Sequence, residues 1–413
     1  MNKLIRRAAG AALAMTLAVS LLAGCDEAAA SDPIKDMMGE DSGITSETVM
    51  LTVNGSEVTA GDLFFWLSQS ASQAASYSQT LGEETLDWSA EAGDGMTMSE
   101  YVKKNAKDQA VLYNVVAAKA RENGYEFTQE DKAAYEEELA QAKEDLGGEE
   151  VYQNWLNQNC LTEAGMEELS SVGVLFDHML DGMFTDGSEY APTEEDLLTY
   201  AAENDLLYAK HILLMTQDTA TGEALSADEI AAKRTKAEDI LAQLQAIQDP
   251  EELEKTFDTL MNENSEDTGL AANPDGYLFT AGQMVEPFEE GTRALDYGQI
   301  SGIVESDYGY HIILRLDPTA SESLRSQWAV QRLNELVDQW VNEAEVEETE
   351  TFTDLDIGEF YDKLTAYQAQ LDAAMETESA ETEDAAGTDA EAPAGAQTQE
   401  AETGETEEAE PAA

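Results

Sequence analysis

The sequence predicts an α+β protein in which a helical domain, built from the N- and C-terminal segments, contains an inserted α+β domain. Three observations lead to this prediction. Apolar residues recur every three or four positions from Val102 to Ala120, which is typical of a helix. Strand and helix patterns alternate from Leu207 onward. A long apolar stripe from Leu324 to Trp340 exceeds what the small domain can cover, so we expect it to pack on the N-terminal helices.

The composition excludes one class of function. The 413 residues include 87 Asp plus Glu against 21 Lys plus Arg, which gives a formal net charge of −66. A protein that binds nucleic acid through counterion release needs a basic surface, so we expect no nucleic-acid partner. The length predicts two or three domains at roughly 100–200 residues each. The two cysteines cannot build a disulfide framework.

The N-terminus has the pattern of a secretory signal peptide. The basic start MNKLIRR is followed by an apolar run that closes with LAGC at Cys25. These four residues resemble a bacterial lipobox, which implies that residues 1–24 are removed and that Cys25 is lipidated. The alternative is an uncleaved membrane helix. Residues 25–46, rich in Ala, Ser, Asp, Gly and Glu, predict a flexible tether after the lipidated cysteine.

Residues 47–190 predict the N-terminal helical domain. Val49, Leu51 and Val53 alternate before Asn54-Gly55, which is a strong hairpin signal. Helical spacing then covers the stretches 61–77, 98–124, 128–145, 149–159 and 162–184.

The remaining segments are predicted from similar patterns. Residues 191–206 form a connecting helix capped by Thr193. Residues 207–317 form the inserted domain, and residues 318–365 contain the C-terminal helix. Residues 366–413 are acidic and poor in aromatic residues, so they predict a disordered tail, either a solubilising one or a surface for a cationic partner or Ca²⁺. The strands of the inserted domain are predicted at 207–215, 277–279, 303–304 and 310–314, and its helices at 226–247, 250–261 and 285–295.

Three blocks of the inserted domain together resemble the parvulin-type peptidyl-prolyl cis/trans isomerases. They are HILL from His211, FTAGQMVEPF from Phe279 and GYHIIL from Gly309. With the lipobox and the flanking helices, the chain is similar to the PrsA-type extracytoplasmic foldase lipoproteins and, more loosely, to SurA-like chaperones. The resemblance implies an isomerase that needs neither a cofactor nor a metal.

The resemblance also implies roles for individual residues. Met284 and Phe288 match the proline pocket, with ordinary core packing as the alternative. Leu278, Phe279 and Tyr308 are further candidates for substrate binding.

The candidate catalytic residues are His211, Asp267, Ser306 and His311. The resemblance implies that the two histidines pair, that Ser306 hydrogen-bonds the pair and that Asp267 faces the prolyl amide. As alternatives, the histidines are structural and Asp267 caps its turn.

Two features depart from the family pattern. The family often has Gly-Asp-Leu-Gly before the aromatic residue, whereas this chain has Asp275-Gly276-Tyr277-Leu278. The phosphate-directed parvulins carry cations in the loop after the first histidine. The corresponding loop here, MTQDTATG from Met215, has none, so we predict no requirement for a phosphorylated substrate.

Rival functions receive less support from the sequence. Asp267-Thr268-Gly269 matches the aspartic-protease tripeptide, but polar residues precede it and no second copy exists. The three histidines lie too far apart for a zinc-protease motif. A holdase chaperone with an inactive parvulin domain remains a rival, and so does a lipoprotein that displays its acidic surface.

The sequence therefore predicts a foldase that isomerises X-Pro bonds in unfolded secreted polypeptides. It would be anchored by lipid at the extracytoplasmic face of the bacterial cytoplasmic membrane. The sequence leaves open its clients, the balance of isomerase and holdase work, and whether it forms a homodimer.

Overall fold

The computed structural model describes residues 32–386 apart from residues 81, 83 and 84. The predicted signal peptide, Cys25 and residues 387–413 lie outside the described residues. The chain divides into two compact units. Unit 1 contains the residues up to Ala110, Thr128–Ser170 and the residues from Val346, and unit 2 contains Val111–Phe127 and Ser171–Glu345. The division falls within two helices rather than at the predicted boundary of residue 190.

Unit 1 is organised around a small antiparallel sheet in the order β2-β1-β9. β1 (Val49–Val53) and β2 (Ser56–Thr59) form the predicted hairpin. Asn54 and Gly55 turn it with φ values of 51° and 81°, as a tight hairpin turn requires. β9 (Val346–Glu348) pairs with the other edge of β1. The C-terminal segment therefore completes a sheet that the N-terminal segment begins.

Helices supply the core of unit 1. Phe64 packs edge-on against Phe360, which joins a helix of the N-terminal segment to one of the C-terminal segment. A second cluster surrounds Phe65 and the buried Leu156. The helices and the further hairpin of this part of the chain are α1 (Pro33–Met38), α2 (Ala60–Thr80), β3 (Glu91–Gly93), β4 (Met96–Thr97), α3 (Met98–Glu122), α4 (Gln129–Leu146), α5 (Glu149–Gln158), α6 (Glu163–Met183), α12 (Glu350–Thr353) and α13 (Ile357–Ala386).

The predicted tether is too long. Asp32 caps α1 by accepting hydrogen bonds from the backbone N–H groups of Ile34 and Lys35. Its carboxylate also accepts from the backbone N–H and the hydroxyl of Ser46, which closes the segment into a compact loop. Ile34 is fully buried and Met37 is nearly so. Capping and apolar burial thus order a segment whose average composition predicted flexibility.

The predicted tail also begins too early. α13 continues through the predicted boundary at residue 366 and ends at Ala386. Tyr367 is buried, and the Ala, Gln, Glu and Met residues that follow are strong helix formers. The predicted boundary of the tail at residue 366 is therefore wrong, because a polar helix extends to Ala386.

The inserted domain of unit 2 is built on an antiparallel sheet in the order β6-β5-β8-β7. Its strands are β5 (Leu207–Met215), β6 (Tyr277–Phe279), β7 (Val304–Ser306) and β8 (Gly309–Arg315). The register pairs Leu213 with His311 and His211 with Ile313. Since side chains alternate along a strand, both histidines lie on one face of the sheet.

Helices cover the other face of this sheet. α8 (Ala227–Gln245) and α9 (Pro250–Asn264) bury Ile240 and Phe257 against Ile212 and Ile312. On the histidine face lies the short α10 (Glu286–Arg293), which contributes Phe288. The predicted strands and helices of the inserted domain are confirmed in order and type.

The rest of unit 2 is helical. α11 (Glu322–Glu343) packs Leu333 and Leu336 against Met179 of α6 and Ala120 of α3. This confirms that the stripe of α11 packs on helices that precede the inserted domain. α7 (Glu194–Glu203), capped by Thr193 as predicted, packs with the start of α11. Among the described residues, no helix is long and apolar enough to cross a bilayer.

Candidate active site

His211 and His311 form the centre of the candidate site. They project from the same face of β5 and β8 with their Nδ1 atoms 3.1 Å apart. The rings are nearly parallel, with an interplanar angle of 16°. His311 is only 3% exposed. The predicted pairing of the histidines therefore follows from the register of two adjacent strands.

A chain of hydrogen bonds, which we call the histidine network, fixes the tautomers of both rings. The Asp267 carboxylate only accepts, so His211 donates through Nε2–H to Asp267 Oδ2 at 3.0 Å. His211 Nδ1 is then the acceptor for His311 Nδ1–H, because one nitrogen of a neutral imidazole is a donor and the other an acceptor. The remaining His311 Nε2 accepts from the Ser306 hydroxyl at 2.7 Å. Each bond thus has one donor and one acceptor when both rings are neutral.

The electrostatics of the site favour neutral histidine and ionised aspartate. Burial, reinforced by the neighbouring His211, lowers the pKa of His311 from 6.5 to about 4. Burial alone would raise the pKa of Asp267. The hydrogen bonds from His211, Tyr277 and the Gly269 backbone outweigh that effect and hold its pKa well below the usual range. A negatively charged Asp267 and a neutral His311 therefore flank His211 at pH 7.

The loop after α9 holds Asp267 in place. Its neighbour Glu266 donates its backbone N–H to Leu213 O and accepts from the backbone N–H of Met215, both at 2.8 Å. These bonds fasten the loop to the end of β5. Asp267 also accepts from the Gly269 backbone N–H at 3.0 Å, so it caps the turn as the alternative interpretation had it. The carboxylate performs that capping while it also contacts His211.

Met284 and Phe288 form an apolar pair beside the network, which we call the proline slot after its predicted role. The Phe288 ring meets His211 edge-on with centroids 5.0 Å apart, and it meets His311 similarly at 5.6 Å. Met284 packs in the same cluster but is only half-buried. Glu289 accepts from the backbone N–H of Met284 and so shapes the turn into α10. The slot therefore borders the imidazole pair directly.

The structure places the other predicted substrate-binding residues differently. Phe279 is 1% exposed and lies behind Phe288, so it supports the slot instead of lining it. Tyr308 is 47% exposed in the turn between β7 and β8, and its backbone N–H donates to Ser306 Oγ. It is therefore available at the rim of the site.

The position of Leu278 corrects its predicted role. Side chains alternate along β6, so Tyr277 and Phe279 face the histidines while Leu278 points to the opposite face. There it packs with Leu197 and Leu324. It does not join the cluster that contains Met284 and Phe288.

Sequence reasoning missed Tyr277, which donates its hydroxyl to Asp267 Oδ2 at 2.5 Å. Its ring also meets His211 edge-on, with centroids 5.6 Å apart. The available signal was the departure at Gly276-Tyr277 from the family's Leu-Gly. In the described part of the chain, no three His, Cys, Asp or Glu side chains form a metal site.

Comparison with known proteins agrees with this geometry. Residues 211–317 match the rotamase family described as the PPIC-type PPIase domain. The chain is 32% identical over 228 residues to the foldase protein PrsA of Oceanobacillus iheyensis, covering 54% of this chain and 64% of that relative. It is 28% identical over 287 residues to PrsA of Staphylococcus aureus strain Newman, covering 68% and 81%.

A solved structure is also similar. The crystal structure of PrsA from Bacillus subtilis is 21% identical, covers 62% of this chain and 89% of its own, and gives a TM-score of 0.26. The family match and the sequence relatives support the predicted isomerase activity and foldase function. Residues 211–317 thus form a PPIC-type peptidyl-prolyl isomerase domain, in a chain that is similar to the PrsA foldases.

Proposed function

We propose that this protein is a foldase that accelerates cis/trans isomerisation of X-Pro bonds in unfolded secreted polypeptides. The observation that carries the proposal is the contact between the proline slot and the histidine network. Phe288 meets both imidazole rings edge-on, and Asp267 is hydrogen-bonded to His211. An apolar surface for a pyrrolidine ring and a charge that acts on the amide are thus adjacent.

The reaction needs no more chemistry than this site supplies. Rotation about a peptide bond is opposed by a barrier of roughly 18–20 kcal/mol, which arises from amide resonance. No bond is made and no proton is transferred, so neither a nucleophile nor a metal is needed. A catalyst must bind the amide better when it is twisted than when it is planar.

The described residues divide this work. Met284 and Phe288 hold the proline ring, and Tyr308 contacts the substrate at the rim. The planar amide carries partial negative charge on its carbonyl oxygen, so the Asp267 carboxylate disfavours that form when the oxygen lies near it. The imidazole pair keeps Asp267 in place, since His211 donates to the carboxylate and is itself held by His311, which bonds Ser306.

We propose unphosphorylated segments as substrates. The loop from Met215 to Gly222 has no cation, and its Asp218 is occupied in accepting hydrogen bonds from the backbone of Ala220 and Thr221. On the neighbouring helix α8, Lys233 is occupied by its ion pair with Glu266. A phosphate at this loop would meet the Asp218 carboxylate and no cation of the loop itself.

We propose lipid anchoring through Cys25 at the extracytoplasmic face of the membrane. The support is the LAGC tetrapeptide that follows the basic and apolar N-terminal segment. Metabolic labelling with a fatty acid tests it. The wild-type chain should incorporate label and Cys25→Ala should not, and label in Cys25→Ala would contradict the anchor.

The isomerase proposal is tested by NMR exchange spectroscopy on an Ala-Pro peptide and its phospho-Ser-Pro counterpart. The chain from Asp26 onward should accelerate exchange of the Ala-Pro peptide at least as well as that of the phosphorylated one. A parallel assay follows the aggregation of an unfolded client protein. Suppressed aggregation without accelerated exchange would instead establish the holdase alternative.

A further inference from the structure

Tyr277 contacts two of the candidate catalytic residues at once, Asp267 and His211. It begins β6, opposite Ala209 of β5, and faces the histidine side of the sheet. Its hydroxyl donates to Asp267 Oδ2 at 2.5 Å, the same oxygen that receives the hydrogen bond from His211. Its ring lies edge-on to the His211 ring. Asp267 and His211 are therefore both in contact with one phenol.

Two glycines leave the space that this phenol needs. A Cβ atom on Gly269 would lie 2.5 Å from the Tyr277 hydroxyl oxygen, so a larger residue there would displace the hydroxyl. Gly276 has φ +113°, and a Cβ atom on it would lie 2.9 Å from Ala209 O. Gly276 thereby lets β6 lie close against β5, which directs Tyr277 toward Asp267. Gly269 and Gly276 together therefore allow the Tyr277 phenol to reach Asp267.

We propose that Tyr277 is a positioning residue for the isomerase reaction, holding the Asp267 carboxylate in the orientation in which it contacts His211 and faces the substrate amide. This inference rests on the proposed isomerase function. Tyr277 donates to one oxygen while the Gly269 backbone donates to the other, so the carboxylate is held at both ends. A carboxylate fixed in this way needs no reorganisation as the amide twists.

The role predicts a specific kinetic pattern. Tyr277→Phe keeps the ring against His211 but removes the hydroxyl, so the fold should be retained. Substrate binding depends on the proline slot, so KM should change little, whereas kcat should fall about 10-fold from loss of a hydrogen bond to a charged group. The matched control is Tyr297→Phe, because Tyr297 is half-exposed and contacts Arg315 instead of the site.

A double-mutant cycle separates positioning from a general packing effect. If Tyr277 acts through Asp267, Tyr277→Phe should change kcat less than about twofold once Asp267→Ala is present. A full 10-fold loss in that background would overturn the proposal. So would wild-type kcat in Tyr277→Phe itself.

NMR of chains labelled with [¹³Cζ]tyrosine tests the contact without any activity. The resonance missing in Tyr277→Phe belongs to Tyr277. Burial and then the Asp267 carboxylate raise the pKa of its phenol, so this resonance should shift only at a pH above the ordinary value of about 10. In Asp267→Asn it should titrate at lower pH than in the wild type, although the Asn273 side chain still faces it.

The two readouts distinguish the failures. Unchanged Tyr277 titration in Asp267→Asn would overturn the positioning contact. A wild-type chain that lacks isomerase activity but shows the predicted titration would instead refute the proposed function. In that case the role in catalysis would fall with it, and only the contact would stand.

Discussion

His311 donates a hydrogen bond to His211 between Nδ1 atoms 3.1 Å apart, and the two rings lie within 16° of parallel. This contact cannot form when both rings are protonated, because two imidazolium cations would both be donors there. The His311 ring is also almost entirely buried. Protonation of His311 should therefore oppose folding.

The first prediction concerns stability against pH. The folded pKa of His311, about 4, lies below the unfolded value of 6.5, so between these values the unfolded chain binds a proton that the folded chain excludes. The free energy of unfolding should fall as pH drops through that window, by up to about 3 kcal/mol from this group. Above pH 6.5 this contribution should be constant.

Urea unfolding at pH 7, 6, 5 and 4.5, followed by circular dichroism, measures the effect. His311→Gln removes the titrating group, so its stability should depend less on pH than that of the wild type. Parallel pH curves for the two proteins would contradict the assignment of a depressed pKa to His311. Asp267 does not interfere, since its pKa is lowered from 3.8.

A second prediction concerns Gly309, which opens the strand that carries His311. Its φ is +146°, and a Cβ atom would lie 2.2 Å from Leu214 O and 2.9 Å from Met215 Cα. These are backbone atoms of the paired strand and cannot move aside alone. Gly309→Ala should therefore cost at least about 2 kcal/mol of unfolding free energy.

Gly302→Ala is the matched control, because no atom lies within 4 Å of its added Cβ. Its unfolding free energy should change by less than about 0.5 kcal/mol. Calorimetry on the two variants gives the comparison. Equal melting temperatures would show that β5 and β8 do not approach as closely as described.

A third prediction concerns the buried charge of Lys210 on the opposite face of β5. Its side chain is 7% exposed and pairs with Asp258 at 2.9 Å and Glu254 at 3.5 Å. Asp258→Ala would leave the ammonium buried with one distant partner, at a cost on the order of 2 kcal/mol. Lys210→Met removes the charge and keeps the apolar stem, so it should cost less.

The exposed pair of Arg234 and Glu238 provides the control for this asymmetry. Glu238→Ala should change stability by less than about 0.5 kcal/mol. Denaturant unfolding of the three variants tests the order of effects. A larger loss in Lys210→Met than in Asp258→Ala would mean that packing of the stem, and not the buried charge, dominates.

A fourth prediction concerns α11, which joins the end of the inserted domain to the preceding helices. Leu333 is fully buried among Leu175, Met179 and Val337. Leu333→Ala should destabilise unit 2 by about 2–5 kcal/mol through lost burial and the cavity left behind. Val330 lies on the same helix but is 40% exposed, so Val330→Ala should change the unfolding free energy little. Similar melting temperatures for both variants would contradict this packing.

The sequence predicted the sheet of the inserted domain and the histidine pair because this region combines clear strand patterns with the three family blocks. β5 and β8 are long apolar strands, and each histidine lies inside a recognisable block. The predicted role of Leu278 was wrong for a physical reason. β6 has only three residues, and which side chains face the histidines depends on its register with β5, which the sequence of β6 alone does not set.

Other features depend on contacts distant in sequence. The segment before β1 is ordered by Asp32 reaching Ser46, a contact that average composition does not reveal. Tyr277 becomes a site residue only because Gly269 and Gly276 leave room for its ring to approach Asp267. Neither glycine, taken alone in the sequence, indicates that it makes room for a tyrosine.

The most direct test of the account is the cis-to-trans relaxation of an unphosphorylated Ala-Pro peptide with the chain from Asp26 onward and with Met284→Ala. Met284 is half-buried beside Phe288, so its truncation should lower kcat/KM about 10-fold or more by removing contact with the proline ring. Met166→Ala, a partly buried methionine in unit 1, should leave kcat/KM unchanged. Equal acceleration by wild type and Met284→Ala would contradict the proline slot, and no acceleration by wild type would contradict the isomerase itself.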